Sequence, residues 1–160
     1  MRVLILGNSG SGKSTLARAI AAEHDLVHLD LDTVVWEPHQ VAVARPEAAV
    51  REALAAFAAG NARWVVEGSY GDWAEFLAPW ASELRWLDPT TEWCLRNHEQ
   101  RPWEPHKYDD PSEQERHRAF LAEWVRSYAT RDDRFGRTWH QGVYERFAGP
   151  KRVLRDDDLR

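Results

Sequence analysis

Residues 2–15, R-V-L-I-L-G-N-S-G-S-G-K-S-T, decide the fold of this chain. The apolar run at residues 3–6 predicts a buried strand. The residues after it fit the pattern G-x-x-x-x-G-K-[ST], whose backbone N–H groups hold a polyphosphate. A helix-forming run, L-A-R-A-I-A-A-E-H, follows and predicts a helix over residues 16–23. The pattern therefore has the strand before it and the helix after it that its chemistry requires.

The glycine residues of this loop, Gly7, Gly10 and Gly12, leave the backbone open to phosphate groups and can adopt positive φ. Lys13 is predicted to reach the β- and γ-phosphates, and the Ser14 hydroxyl to ligate Mg²⁺. The dipole of the following helix favours negative charge at the same place. The predicted ATP-binding residues are Gly7, Asn8, Ser9, Gly10, Ser11, Gly12, Lys13, Ser14 and Thr15.

The composition limits the possible classes of protein. At 160 residues, 18.5 kDa and 43% hydrophobic residues, the chain fits one domain with a real core. A net charge of −5 argues against a broad nucleic-acid-binding face. No apolar run approaches the roughly 20 residues of a membrane span, and the first strand leaves no room for a signal peptide. Cys94 is the single cysteine, so a cytoplasmic protein without an internal disulfide is expected, with Cys94 as a packing residue.

Strands and helices are predicted to alternate along the rest of the chain. Further strands are expected at residues 26–31, 63–66, 84–87 and 151–154, and helices at residues 46–59, 72–80, 90–101, 112–128 and 132–147. In the helix at 112–128, the predicted buried stripe is Phe120, Leu121, Trp124 and Tyr128. This order implies an α/β fold with a five-stranded parallel sheet and helices on both faces.

Acidic residues follow the second strand, where ligands of open parallel sheets bind. Asp30 lies near the end of that strand and Asp32 just beyond it. In an extended segment residues two apart point the same way, so both carboxylates could face one site. The alternative is that Asp32 caps the next turn and only Asp30 is functional. Trp36 follows, either stacking on a substrate or covering the edge of the sheet.

The third strand ends in Glu67-Gly68-Ser69-Tyr70. An acidic residue followed by glycine at a strand end suits an outer-sphere Mg²⁺ position or a substrate contact, although Glu67 could instead cap a helix. Residues 101–111, R-P-W-E-P-H-K-Y-D-D-P, carry three prolines and mixed charges and are predicted to form a loop that closes over the ligands as a lid. Candidates to cover developing negative charge are Arg101, Arg118 and Arg131, each of which could equally be a surface ion-pair partner.

These pieces together resemble the small P-loop nucleotide kinases. The match comprises G-N-S-G-S-G-K-S-T-L-A, H-L-D at the second strand, a tryptophan soon after it, and E-G-S-Y after the third strand. Among such kinases the chain is most similar to the adenylate-kinase-like, FlaR-type topology-modulation proteins. The resemblance implies a P-loop NTPase three-layer fold, nucleoside-monophosphate-kinase-like, with ATP and Mg²⁺ as cofactors. It also implies an acceptor-binding region after the second strand and an arginine-bearing lid. From the residues themselves, the predicted Mg²⁺ positions are Ser14 and Asp30, and the predicted acceptor site comprises Asp32, Trp36, Glu67 and Tyr70.

The chain departs from the adenylate-kinase pattern in three ways. Glu67-Gly68 stands where those kinases have Asp-Gly, and the lid has no cysteine set for zinc. Lys107 stands where the first arginine of the lid helix would be, whereas Arg118 matches the later one. Because lysine is a point charge and not a bidentate fork, Lys107 is not expected to clamp a phosphate as an arginine would.

Two functions fit the sequence. The first is an ATP-dependent kinase acting on a nucleotide, nucleoside or other small metabolite, with catalytic residues Lys13, Asp30, Asp32, Arg101, Arg118 and Arg131. The second is a nucleotide-binding regulator without turnover. The carboxylates at positions 30 and 32 favour the kinase, because a regulator has no need of them. The expected partner is a small-molecule phosphoryl acceptor, rather than a membrane or a nucleic acid.

Overall fold

The computed structural model of the protein describes residues 1–37, 43–100 and 110–159. Its centre is a five-stranded parallel sheet, as the sequence predicts. The strands are β1 (Arg2–Gly7), β2 (Val27–Asp30), β3 (Trp64–Gly68), β4 (Glu83–Leu87) and β5 (Lys151–Leu154). Their order across the sheet is β2-β3-β1-β4-β5. The phosphate-loop strand is thus the middle one, with β3 and β4 on either side.

Helices connect the strands. They are α1 (Lys13–His24), α2 (Asp32–Val35), α3 (Glu47–Gly60), α4 (Gly71–Leu77), α5 (Thr91–Glu99), α6 (Pro111–Arg126) and α7 (Arg137–Arg146). Short 3₁₀ turns follow at Ala78–Trp80, Ser127–Ala129 and Asp156–Leu159. Among the helices of the described ranges, none combines the length and apolar character needed to cross a bilayer.

Alternate residues of β1 face opposite sides of the sheet, as the period of a strand requires. Leu4 and Leu6 pack into the larger apolar core, which includes residues of α3, α4 and α7. Val3 and Ile5 point to the other side, where they meet α1. Both faces of the sheet are therefore covered, which leaves its carboxyl edge as the place where ligands can enter.

The predicted helix at 132–147 begins only at Arg137. The carboxylate of Asp133 accepts from the backbone N–H of Phe135 at 3.0 Å, and the carbonyl oxygen of Asp133 accepts from Gly136 N at 2.8 Å. Aspartate stabilises such turns by offering the backbone an alternative to helical hydrogen bonds. Residues 131–136 consequently form a tight turn, and this turn contributes to the site described below.

The predicted buried stripe of α6 is wrong at Phe120, whose side chain is 63% exposed. Val125 and Tyr128 are buried, and Leu121 is half-buried. These three positions follow the i, i+4, i+7 spacing of one helix face, and Phe120 lies about 100° away from it. The apolar character of Phe120 suggested burial, but the helical spacing of its neighbours determines which face meets the core.

Candidate active site

The phosphate loop begins at the carboxyl end of β1 and runs into the first turn of α1. Gly10 has φ 76° and Gly12 has φ 99°, so the two glycines occupy left-handed conformations that L side chains rarely adopt. Lys13 is the first residue of α1 and is only 8% exposed. Its Nζ donates a hydrogen bond to the carbonyl oxygen of Asn8 at 2.7 Å. The ammonium group is therefore held inside the loop, where phosphates would meet it.

Two neighbouring elements approach the loop so closely that no side chain would fit. A Cβ added at Gly7 would lie 2.5 Å from the carbonyl oxygen of Leu87, at the end of β4. A Cβ added at Gly10 would clash with the carbonyl oxygen of Cys94 in α5. Gly7 and Gly10 are thus needed for packing as well as for ligand access.

Polar side chains also stabilise the loop, which no sequence pattern indicated. Asn97 donates to the carbonyl oxygen of Gly10 at 2.8 Å, and Asn8 donates to that of Val125 at 3.0 Å. Cys94 is fully buried, which confirms its predicted packing role. Burial raises the pKa of its thiol to about 11, so the thiol is protonated at neutral pH. The two asparagine contacts depend on how α5 and α6 pack against the loop, and the sequence alone does not show that packing.

Glu67 lies at the end of β3, in register with Asp30 of β2, and is 2% exposed. Burial raises its pKa, but neighbouring His28, Lys13 and Ser14 outweigh that effect and hold the pKa below its usual range. His28 Nε2 lies 3.8 Å from Glu67 Oε1, too far for a hydrogen bond. Within the described part of the chain, Glu67 Oε1 accepts no hydrogen bond. The site therefore contains a buried, ionised carboxylate with an unused acceptor atom beside the phosphate loop.

Asp30 and Asp32 do not lie along one extended segment, so that expectation is wrong. Leu31 has φ −60° and ψ −27°, and the chain turns into α2 at Asp32. The backbone N–H of Asp32 donates to Asp30 Oδ1 at 2.9 Å, and Thr33 Oγ1 donates to the Asp30 carbonyl oxygen at 2.7 Å. Asp30 thus shapes the start of α2, in addition to any role toward ligands.

Three of the predicted substrate-binding residues form one hydrogen-bonded chain. Trp36 Nε1 donates to the hydroxyl of Tyr70 at 2.6 Å, and that hydroxyl donates to Asp32 Oδ1, also at 2.6 Å. Tyr70 is 3% exposed, and burial together with the charge of Asp32 raises its pKa well above the usual value. The tyrosine consequently remains a hydrogen-bond donor and fixes the orientation of the Asp32 carboxylate.

A cavity of about 290 Å³ lies among residues of α2, α3 and α4. Val35, Val50 and Trp73 form apolar parts of its wall. Its charged lining residues are Arg45, Glu47, Arg51, Asp72 and Arg134. These charged residues come from α3, α4 and the connecting segments, and the sequence did not indicate that they share one cavity.

Arg134 connects the cavity to the hydrogen-bonded chain. Its Nη1 lies 2.8 Å from Asp72 Oδ2, and its Cζ lies 5.6 Å from the centre of the Tyr70 ring. Its carbonyl oxygen accepts from the backbone N–H of Gly71 at 2.8 Å. The 131–136 turn is therefore fixed against the start of α4, with the Arg134 side chain between the cavity and Tyr70.

Two of the three predicted phosphate-covering arginines, Arg118 and Arg131, are held by other groups. Arg118 Nε lies 3.1 Å from Glu115 Oε2 on the same helix. Arg131 donates to both carboxylate oxygens of Asp133, and its Cζ lies 3.5 Å from the centre of the Trp124 ring. Arg101 and residues 102–109 of the predicted lid lie outside the described residues. Arg118 and Arg131 therefore each have an ion-pair partner in the structure. The role of these two arginines toward a phosphate stays a prediction.

No known protein family and no curated protein matches this sequence. Solved structures are similar in fold. A gluconokinase from Sinorhizobium meliloti 1021 is 17% identical, with 96% of this chain and 81% of that chain covered and a TM-score of 0.52. A shikimate kinase from Bacteroides thetaiotaomicron is 19% identical, covering 91% of this chain and 95% of that one, with a TM-score of 0.50.

A deoxyadenosine kinase from M. mycoides with bound dATP is 10% identical, with 98% of this chain and 92% of that chain covered and a TM-score of 0.54. At these identities the likeness concerns the fold. The chain has the three-layer fold of P-loop kinases, as its sequence predicts.

Proposed function

We propose that the protein is an ATP-dependent kinase that transfers a phosphoryl group to a hydroxyl of a small metabolite. The observation that carries this proposal is the arrangement at the carboxyl edge of the sheet. There the phosphate loop after β1 and the Asp30–Asp32 turn after β2 lie on either side of the end of β3, and Val35, at the end of the helix that Asp32 begins, lines a cavity. The gluconokinase, shikimate kinase and deoxyadenosine kinase of similar fold support a small acceptor.

Mg²⁺ is the expected partner of ATP here, and the donor atoms suit it. Mg²⁺ prefers oxygen ligands and is usually held by one or two carboxylates together with substrate phosphates. Ser14, Asp30 and the unused buried Oε1 atom of Glu67 provide such oxygens. No group of three or more His, Cys, Asp and Glu side chains that could hold a metal occurs among residues 1–37, 43–100 and 110–159. When bound, the ion would neutralise phosphate charge.

The residues of the chain would then act mainly by positioning, as phosphoryl transfer requires. Lys13 would contact the phosphates at the β–γ junction and offset their charge. Asp30 or Asp32 would orient the acceptor hydroxyl and accept its proton. Tyr70 would keep the Asp32 carboxylate in one orientation through its hydrogen bond.

Several finer parts of this function are proposals from the sequence. Arg101, Arg118 and Arg131 would cover charge that develops on the transferred group, and residues 101–111 would close over it as a lid. We also propose that the chain forms one domain and that the protein is cytoplasmic. Its relationship to the FlaR-type proteins is likewise a proposal from the sequence. Closure would exclude water and so limit hydrolysis of ATP.

The test is release of ADP from ATP and Mg²⁺ across a panel of hydroxylated metabolites. We expect one class of acceptor to accelerate ADP release, and the Lys13→Ala variant to abolish that acceleration, which excludes a contaminating kinase. A protein that binds ATP but shows no acceptor-dependent turnover over a broad panel would be the nucleotide-binding regulator instead.

A further inference from the structure

We propose that the acceptor of this kinase is a small hydroxylated oxyanion, whose carboxylate or phosphate binds in the Arg45–Arg134 cavity. This inference rests on the proposed function, because it assigns a class of substrate to the same site. It starts from the charges that line the cavity: three arginines, Arg45, Arg51 and Arg134, face two carboxylates, Glu47 and Asp72. The lining therefore has an excess of positive charge.

Arg45 carries the excess charge. Its Nη1 donates to the carbonyl oxygen of Val34 at 3.1 Å, which leaves the rest of its guanidinium fork available. In the described ranges, no carboxylate lies within ion-pair distance of Arg45, whereas Arg51 pairs with Glu47 and Arg134 with Asp72. A half-buried guanidinium without an anionic partner is a ready site for a ligand carboxylate or phosphate.

The backbone holds Arg45 firmly against α2. Its N–H donates to the carbonyl oxygen of Val35 at 2.8 Å, and Trp36 and Ala44 form an antiparallel bridge beside it. The side chain is thus attached to the same short helix that contains Asp32. This fixed anchoring reduces the conformational entropy that the arginine would lose on binding an anion.

The cavity and the proposed acceptor base are connected by one short helix. Asp32 is the first residue of α2, and Val35, which lines the cavity, is its last. At about 1.5 Å rise per residue, the two positions are about 4.5 Å apart along the helix. Arg134 also lies between the cavity and Asp32: it lines the cavity and lies over the Tyr70 ring, whose hydroxyl donates to Asp32. A small molecule can therefore place its anion at Arg45 and its hydroxyl near Asp32.

The size of the cavity supports a compact acceptor. Its volume of about 290 Å³ is just below the range of about 300–1,000 Å³ for small-molecule sites. Val35, Val50 and Trp73 offer apolar contact to a carbon skeleton, while the arginines bind its charged end. A neutral polyol would leave the charge of Arg45 uncompensated in a partly desolvated site, which is unfavourable.

The experiment compares matched pairs of probes by calorimetry: gluconate with sorbitol for a carboxylate, and glycerol 3-phosphate with glycerol for a phosphate. We expect the anionic member of at least one pair to bind at least about tenfold more tightly, as a charge-assisted pair provides. Arg45→Gln should remove this preference and Arg45→Lys should restore part of it. The matched control is Arg152→Gln, which removes the same charge from the opposite edge of the sheet.

Binding and turnover separate this inference from the proposed function. Anion binding that depends on Arg45 without any release of ADP would keep the anion site and remove the kinase function. ADP release with neutral compounds alone would keep the kinase and overturn the anionic acceptor. Three other results would also overturn the anionic acceptor. The two members of each pair could bind equally, neither anion could bind, or Arg152→Gln could abolish the preference as Arg45→Gln does.

Discussion

At the scale of single residues, Lys13 is a buried charged side chain with a proposed role toward the phosphates. It is 8% exposed, and its ammonium group donates a hydrogen bond to the Asn8 carbonyl oxygen within its own loop. Lys13→Ala removes the positive charge without opening either apolar core. We expect ATP affinity to fall by about 10- to 100-fold, the value of a charge-assisted contact, with the fold retained. Calorimetry measures the ATP affinity, and circular dichroism measures whether the variant is folded. Unchanged ATP affinity in a folded variant would contradict the role of Lys13 in binding the phosphates.

Asp30 combines a structural hydrogen bond with its proposed role toward the acceptor. Asparagine keeps the oxygen that accepts from Asp32 N but loses the charge. We therefore expect Asp30→Asn to lower kcat by about 10²-fold or more, the usual scale for a positioned acid–base group, with little change in melting temperature. Asp32→Asn, which also keeps its acceptor atom for Tyr70, is the comparison variant. An Asp30→Asn protein that melts early yet turns over normally would transfer the role to Asp32 or Glu67.

At the scale of elements, the phosphate loop is held between β4 and α5. Gly10 has φ 76°, and an added Cβ would meet the backbone of Cys94, which cannot move as a side chain can. Gly10→Ala should therefore displace the loop from α5, lower the free energy of unfolding by at least about 1–2 kcal/mol and weaken ATP binding. Denaturant titration and calorimetry measure the two effects.

Gly60→Ala is the matched control for that substitution. Gly60 ends α3, and nothing lies within 4 Å of the Cβ position there. We expect this variant to be as stable as the natural protein or slightly more stable, since alanine favours the helix by up to about 1 kcal/mol. If Gly10→Ala behaved like Gly60→Ala, the close packing of the loop on α5 would not matter for stability.

The elements that the sequence predicted well are those with a long apolar period or a strict motif. The phosphate loop is local in the chain, so its residues could be identified without a structure. Helix α2 escaped prediction because four residues are too few to show a period, and D-T-V-V has the β-branched residues of a strand. The Asp30 side chain and the burial of Val35 favour the helix instead. Tertiary contacts outweigh local propensity in such a short segment.

At the scale of the whole molecule, the cavity proposed to bind the acceptor could not be predicted because its lining is dispersed along the chain. Val35 and Arg134 are almost a hundred residues apart, and the 131–136 turn, expected as part of a helix, brings Arg134 to α4. Neither residue has a distinctive sequence neighbourhood. The sequence thus predicted the phosphate side of the site and the three residues Asp32, Trp36 and Tyr70, while the charged cavity required the folded arrangement.

A buried chain of hydrogen bonds also links distant parts of the molecule. Trp86 of β4 donates to the Tyr128 hydroxyl at 3.1 Å, and that hydroxyl lies 2.9 Å from His140 Nδ1. His140 Nε2 lies 3.0 Å from the carbonyl oxygen of Ser69. Because a carbonyl oxygen can only accept, Nε2 carries the proton and Nδ1 accepts from Tyr128. The neutral imidazole therefore joins β4, the turn after α6, α7 and the segment after β3.

The last prediction concerns the dependence of stability on pH. His140 is fully buried, and burial lowers its pKa from 6.5 to about 4. Between these values the unfolded chain binds a proton that the folded protein does not, so stability is highest above the unfolded pKa and falls as the pH decreases. We expect the free energy of unfolding to drop by about 2 kcal/mol between pH 7 and pH 5 through this group. Denaturant titrations of the natural protein and of His140→Gln, which cannot titrate, isolate the contribution. The variant should lose less stability over this interval, whatever its stability at pH 7, and an equal loss in both proteins would show that His140 is not the group responsible.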